Sequence, residues 1–286
     1  MNYKLVTQIK DNQKLRQSFF DLTKETFDLS FQEWFEAGYW GNRYRPYCLI
    51  DEGKVIASVS VNLMDIVWQG QTRNYLQIGT VMTAKSYRQQ GLAKFLLETV
   101  IDQWCDKVDA IYLFANDTVL DFYPKFGFKI ESEYQATLAI TPTDGDFRRL
   151  DMDNLLDKEI LKSCYQESNP FSKLASTDNY GLLMFYCDNF MRDCLYYSQK
   201  RGVVVVAIQN KDNLECLDIF GKTTVQLITI LNELATEATK NCHLGFSTTG
   251  NQQLNQIKTD ETLFIHQNGE DIFKDQKIMF PLLSHA

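Results

Sequence analysis

No apolar run in this chain approaches the roughly 20 residues that a helix needs to cross a bilayer, which argues against a helical membrane span. The opening residues, "MNYKLVTQIKDNQK", lack the apolar stretch of a secretory signal. Both absences predict a cytoplasmic protein without a membrane partner. No C-x-x-C pair occurs and the seven cysteines are odd in number, so neither a disulfide framework nor a metal site is expected. Cys105 and Cys187 lie in apolar-periodic stretches and read as small hydrophobes. Histidine is limited to His243, His266 and His285, all in the second half, where each is expected on the surface or in packing. The formal net charge of −8 argues against a nucleic-acid partner, because phosphate recognition requires a concentrated basic face. An anionic cofactor then needs a local positive site supplied by the fold.

What is present is ordinary globular material: 286 residues, 44% hydrophobic and 23% charged, enough for one large or two ordinary domains. "YKLVTQI" reads as a first strand, and Leu15, Phe19 and Leu22 recur at helical spacing between Asp11 and Thr26. Ser30 and Glu33 suggest a capping box ahead of a second helix. The stretch from Tyr47 to Thr83 alternates and contains turn signals at Asp51–Gly53 and Gln69–Gln71, which predicts three antiparallel strands. From Gly91, residues Leu92, Phe95, Leu96 and Val100 form one helical face that ends near Trp104. "AIYLFA" is a further strand. "NDTVLDFYPKFGF" is expected to begin as a helix capped by Asn116 or Thr118, and "KIESEYQATLAI" closes as a strand. A helix between two strands implies a parallel crossover in an otherwise antiparallel sheet, with a ligand beyond the carboxyl ends of its strands.

That position holds "YRQQGLAK". The first N–H groups of a helix have no internal partner and carry about half a positive charge. Gly91 and the small Ala93 allow a pyrophosphate to approach the backbone, and Arg88 and Lys94 add cations. The bland alternative is a glycine that merely starts a helix, beside a solvated arginine.

Arg88-Gln89-Gln90-Gly91-Leu92-Ala93 resembles the R/Q-x-x-G-x-G/A signature of the GNAT superfamily of N-acetyltransferases, and "NDTVLDFYPKFGF" resembles that family's second motif. The resemblance covers roughly Asn2 to Ala139. It is closest in kind to two-domain bacterial members, in which a catalytic GNAT domain precedes a GNAT-like one. It implies a mixed α/β acyl-CoA N-acyltransferase fold, acetyl-CoA as cosubstrate and a primary amine as acceptor, on a small molecule or a peptide. It also implies that the main chain at Val81, Met82 and Thr83 pairs with the pantetheine arm. Gln89, Gln90, Gly91, Leu92, Ala93 and Lys94 would hold the pyrophosphate with Arg88, and Asn116 would join the cofactor site. Tyr123 matches the general acid; the alternative is core packing with Phe122, Phe126 and Phe128. Lys85 stands where proline is frequent, and Pro124 biases Tyr123 away from helical geometry.

A general base is not evident. Gln77 cannot serve, and Asp65 and Glu36 are the available carboxylates. "EAGYWGNRYRPY" offers Tyr39, Trp40, Tyr44 and Tyr47 either as acceptor walls or as a cover for the sheet. After a linker at Thr141–Phe147, the second half is expected to repeat the element order: helices from "NLLDKEILKSCYQ" and "NYGLLMFYCDNFMRDCLYY", the latter turning into a strand, strands at "GVVVVAIQ" and "LECLDIFG", a helix capped by Thr223 or Thr224, and strands "HLGFST" and "TLFIH". It lacks the signature, so residues 146–286 read as a degenerate GNAT-like domain after a catalytic domain at 1–140, with a lipid-carrier-like α+β domain as the runner-up. The resulting expectation is an acetyl-CoA-dependent N-acetyltransferase; the alternative is a non-catalytic acetyl-CoA sensor or scaffold.

Overall fold

The computed structural model describes residues 3–250 and 252–286, so Asn2, where the resemblance begins, lies outside it. β1 (Lys4–Val6), α1 (Gln13–Phe27) and α2 (Gln32–Glu36) open the chain. Asn12 caps α1 by accepting from the Leu15 N–H at 3.1 Å, and Phe19, Phe20 and Leu22 turn its apolar face inward. The capping box before α2 does not form. Ser30 accepts only from the Gln32 N–H at 3.3 Å, and Phe31 takes the cap position. Phe31 is buried and stacked 5.9 Å from Phe19, so core packing sets where α2 starts.

β2 (Tyr44–Asp51), β3 (Lys54–Trp68) and β4 (Gln71–Thr83) form the expected antiparallel meander. Its turns are Glu52–Gly53 and Gln69–Gly70, all four residues with positive φ, the backbone that two-residue hairpins favour. α3 (Leu92–Trp104) then crosses to β5 (Ala110–Asn116), which lies parallel to β4. The helix expected in "NDTVLDFYPKFGF" is replaced by two single 3-10 turns, Asp117–Val119 and Tyr123–Phe126. Pro124 removes a donor and Gly127, at φ 85, closes the second turn, so no α-helix propagates.

β6 (Lys129–Glu131), β7 (Tyr134–Ala139), β8 (Arg148–Arg149), α4 (Leu155–Gln166), β9 (Leu174–Thr177) and α5 (Tyr180–Phe185) follow. The remainder comprises β10 (Leu195–Ser198), β11 (Val203–Asn210), β12 (Asn213–Gly221), α6 (Leu227–Leu234), β13 (Asn241–Leu244), β14 (Gln253–Gln256) and β15 (Glu261–Gln267). α6 is shorter than its sequence pattern suggests. Gln226 replaces Thr223 or Thr224 as its cap, and Thr236 and Thr239 bond each other in a turn just past its end. Among the described residues, no helix is long and apolar enough to cross a membrane.

The strands form two mixed sheets, so the class is mixed α/β. The first runs β1-β2-β3-β4-β5-β15-β6, with β9 beside β3; the second runs β14-β7-β13-β12-β11-β10-β8. Each has one parallel pair joined through a helix, β4–α3–β5 and β12–α6–β13, which is the expected repeat. The sheets nevertheless take strands from both expected segments, 1–140 and 146–286. β7 pairs with β13 and β14 in the second sheet. β15 inserts between β5 and β6 in the first, and β9 extends β3. Phe264 of β15 is fully buried in the core beneath α3, against Tyr123 at 5.6 Å.

A fragment ending at Ile140 therefore loses β15, bares one edge of β5 and leaves β7 without partners. Exposed edges of this kind template aggregation. Such a fragment is expected to precipitate or to unfold without a cooperative transition by circular dichroism, while the full chain unfolds cooperatively. A soluble, cooperatively folding 1–140 fragment would contradict this.

Candidate functional site

β4 and β5 pair only from Tyr75↔Ala110 to Ile78↔Leu113. Beyond Ile78, β4 bulges. Ser60 pairs with Gly79 and Ser58 with Met82, so Val59 alone faces Thr80 and Val81. Thr80 sits at φ 43, a region that costs a β-branched residue roughly 1–3 kcal/mol. The bulge bends the strand, and the β5-facing edge of Gly79–Thr83 has no β5 partner. A wedge opens there between the two strands. A Cβ on Gly79 would lie 2.5 Å from the Ala286 backbone oxygen, so the last residue packs where only glycine fits. His285, next to it, stacks on Phe114 at 3.7 Å, and burial pushes its imidazole down to about 3.

The expected anion turn follows directly. Gln89 and Gly91 have φ 62 and 73, and Gly91 caps α3 without any side-chain bond. The first helical bond runs from the Phe95 N–H to the Gly91 carbonyl, so the N–H groups of Leu92, Ala93 and Lys94 have no helical acceptor. Arg88 donates from Nε to the Thr83 carbonyl at 3.2 Å and is exposed. Lys94 is exposed, 3.8 Å from Glu98. Tyr87 donates to Asp51 at 2.8 Å and Tyr3 to Gln90 at 3.1 Å, which pins the turn from outside. Residues 88–94 are thus brought together, with Leu92 as the first buried residue of α3. The three strand residues differ. Val81 packs toward α3, whereas Met82 is buried on the α1 face, 3.7 Å from the Thr23 hydroxyl. Thr83 ends the strand.

Tyr123 lies in the same core as Leu92, Leu96 and Val81. Its ring meets Phe122 at 5.2 Å and Phe128 at 6.0 Å, and its hydroxyl makes no hydrogen bond to the described residues. Burial pushes its phenol up to about 12. Asn116 ends β5 and accepts from the Thr118 N–H at 3.1 Å. Asp65 is tied to Arg43 at 2.6 Å, Glu36 is exposed and bonded to Gln32, and buried Gln77 accepts from Tyr112 at 3.3 Å. His243 bonds Thr137 at 3.1 Å, and His266 packs 5.5 Å from Phe128.

On the sheet face opposite α3, a cavity of about 230 Å³ adjoins Thr80 and Ala286. Phe31, Trp34, Tyr39, Tyr44, Tyr180 and Phe185 wall it, Asn62 and Asn179 contribute polar groups, and Arg43 and Asp178 stand at its rim. Tyr44 donates to Ser60 at 3.0 Å and bonds the Thr80 hydroxyl at 2.8 Å; burial pushes its phenol up. Of the expected aromatic walls, Tyr39 and Tyr44 line this cavity. Trp40 and Tyr47 do not: Trp40 donates to the Tyr44 carbonyl at 3.0 Å, and Tyr47 bonds Gln103 and Trp104. The α5 wall was not legible in the sequence. It arrives because β9 pairs with β3 at Asp65↔Thr177, which sets the following residues beside α2.

The first sheet thus splays at its parallel pair, with a glycine-capped helix beyond the gap. Residues 12–128 match the model of the Acetyltransferase (GNAT) family. No curated protein sequence matches the chain. Its architecture resembles a probable N-acyltransferase from Enterococcus faecalis, with a TM-score of 0.58 at 15% identity over 93% of this chain and 72% of that one. It also resembles Eis1 from Mycobacterium abscessus (TM-score 0.57, 12% identity, 93% and 73% covered) and a GCN5-related N-acetyltransferase from Kribbella flavida (0.56, 13%, 92% and 71%). These likenesses span both sheets, so the second sheet follows the two-domain GNAT architecture.

Two outcomes test the site. Gly91→Glu puts a carboxylate at the helix N-terminus and an L side chain at φ 73. Acetyl-CoA affinity by calorimetry is expected to fall at least tenfold, about 1.4 kcal/mol; unchanged affinity in a folded variant would exclude the turn. His285 supplies a pH test. Its folded form stays neutral while the unfolded chain takes a proton near pH 6.5, so its contribution to stability is lost as pH falls from 6.5 toward 3. Asp218 and Glu133, pushed up to about 7 and 8 by burial, act in the opposite sense, with stability falling as pH rises from the ordinary carboxylate range up to those values. His285→Gln is therefore expected to lose less Tm than the parent between pH 6.5 and 4.5, and equal slopes would refute the assignment.

Proposed function

We propose that the chain is an N-acetyltransferase that moves the acetyl group of acetyl-CoA directly to a primary amine, without a covalent enzyme intermediate. The observation that carries this reading is the stretch of β4 beyond Ile78 that β5 leaves unpaired, which carries Thr80 of the cavity and runs on to the Gly91-capped helix. In this reading the free N–H and C=O groups near Val81 and Thr83 pair with the amides of pantetheine. The backbone from Gln89 to Lys94 takes the pyrophosphate, with Arg88 and Lys94 neutralising charge. Met82 contributes through its main chain only, since its side chain is buried on the α1 face. Asn116 supplies its remaining amide group from the end of β5. The second sheet binds no coenzyme A, because α6 begins at Gln226 without a left-handed glycine cap.

The amine attacks the thioester carbonyl, the carbon–sulfur bond breaks with its electron pair leaving on sulfur, and the amide nitrogen sheds a proton. Tyr123 is the proposed general acid. A phenol near 12 keeps its proton at every working pH, yet full transfer to a thiolate of pKa near 8.5 runs uphill. Tyr123 therefore acts chiefly as a hydrogen-bond donor that stabilises the developing sulfur charge. The ammonium form must lose a proton before attack, since only the neutral amine is nucleophilic.

Tyr123→Phe keeps the ring and its contacts. With a good acceptor, kcat is expected to fall about a hundredfold, while acetyl-CoA Kd stays within a few-fold. A fall below threefold would return Tyr123 to the core. Amine-dependent release of free thiol from acetyl-CoA separates this enzyme from a non-catalytic sensor, which would bind acetyl-CoA without release. Titration should give one acetyl-CoA site per chain, and two would overturn the assignment of the second sheet.

A further inference from the structure

The cavity beside Thr80 has two properties that select an acceptor: small volume and aromatic walls. We propose that the acceptor is a primary amine carried on a compact aromatic or branched apolar body, and that α5 of the second half sets this preference. This rests on the acetyltransferase reading above.

Volume comes first. The cavity encloses about 230 Å³, below the roughly 300–1,000 Å³ typical of pockets for drug-sized ligands. A single ring with a short alkylamine arm suits that space; an oligosaccharide or a folded peptide does not.

The walls come second. Phe185 packs 5.3 Å from Phe31 and edge-on to Trp34 at 5.8 Å. The Trp34 indole donates to the Gly181 carbonyl at 2.7 Å, which ties α2 to α5. Gly181 itself has no room for a side chain, because a Cβ there would collide with the Tyr39 carbonyl. The aromatic slot is therefore held from both halves of the chain before any amine enters, and such preorganisation favours a flat apolar body. The polar end is equally fixed: Asn179 donates to Asn62 at 3.2 Å.

The test uses the full chain with acetyl-CoA and 2-phenylethylamine, spermidine or kanamycin as acceptor. The expected kcat/KM for 2-phenylethylamine is at least tenfold above either of the others. Phe185→Ala should raise its KM about tenfold with kcat within threefold and acetyl-CoA Kd unchanged; Phe185→Leu, a gentler change, should fall between. Equal or better turnover of spermidine or kanamycin overturns the inference, as does an unaltered KM in folded Phe185→Ala. If no amine is acetylated although acetyl-CoA binds, the acetyltransferase reading fails by itself. Quenching of tryptophan fluorescence by 2-phenylethylamine then decides about the cavity: saturable binding weakened in Phe185→Ala supports the slot, and no binding overturns it.

Discussion

The loss of pairing between β4 and β5 after Ile78 is the constraint on which the site depends. A parallel pair that continued to Thr83 would satisfy its own amides and leave nothing for a ligand. The bulge at Thr80 prevents this by setting one extra residue against Val59, at φ 43. Backbone strain there is offset by bonds that fix the distorted strand, including the Tyr44–Thr80 contact at 2.8 Å and the Ala84 N–H to the Ile56 carbonyl at 2.8 Å. Opening the sheet costs hydrogen bonds, and β15 supplies the edge of β5 that faces away from β4 with a complete antiparallel ladder.

The two sheets are joined by exchange rather than by a linker. β7 leaves the first segment to pair in the second sheet, and β9 and β15 return to the first. Because backbone ladders carry this exchange, the second half cannot drift relative to the site. α5 therefore stands as a fixed wall against α2, with the Trp34 indole bonded to the Gly181 carbonyl. A half that lacks its own signature turn still has a structural part in shaping the cavity beside Thr80.

Electrostatics follow the same economy. The chain carries a formal charge of −8, yet the turn before α3 presents Arg88, Lys94 and three unpaired helical N–H groups. Local geometry, rather than net charge, makes that turn electropositive. Elsewhere near the cavity, Arg43 bridges two carboxylates, Asp65 and Asp178.

Residues close in the chain made much of this protein legible. The β2–β4 meander was readable from alternation and its glycine turns, and α3 from its apolar spacing after Gly91. Residues 88–94 were readable because one turn holds all of them, so their chemistry does not depend on distant strands. The repeat of a strand–helix–strand crossover in the second half was also encoded locally. Long-range pairing decided the rest. "TLFIH" reads as a strand in any context, but only the free edge of β5 decides that it enters the first sheet. Phe31 overrode the capping signal at Ser30 because burial against Phe19 outweighs one side-chain bond. Asp178, Asn179 and α5 carry no local mark of a binding site. They line the cavity because β9 pairs with β3 more than a hundred residues away in sequence, and contacts made across such a separation leave no periodic trace in either segment.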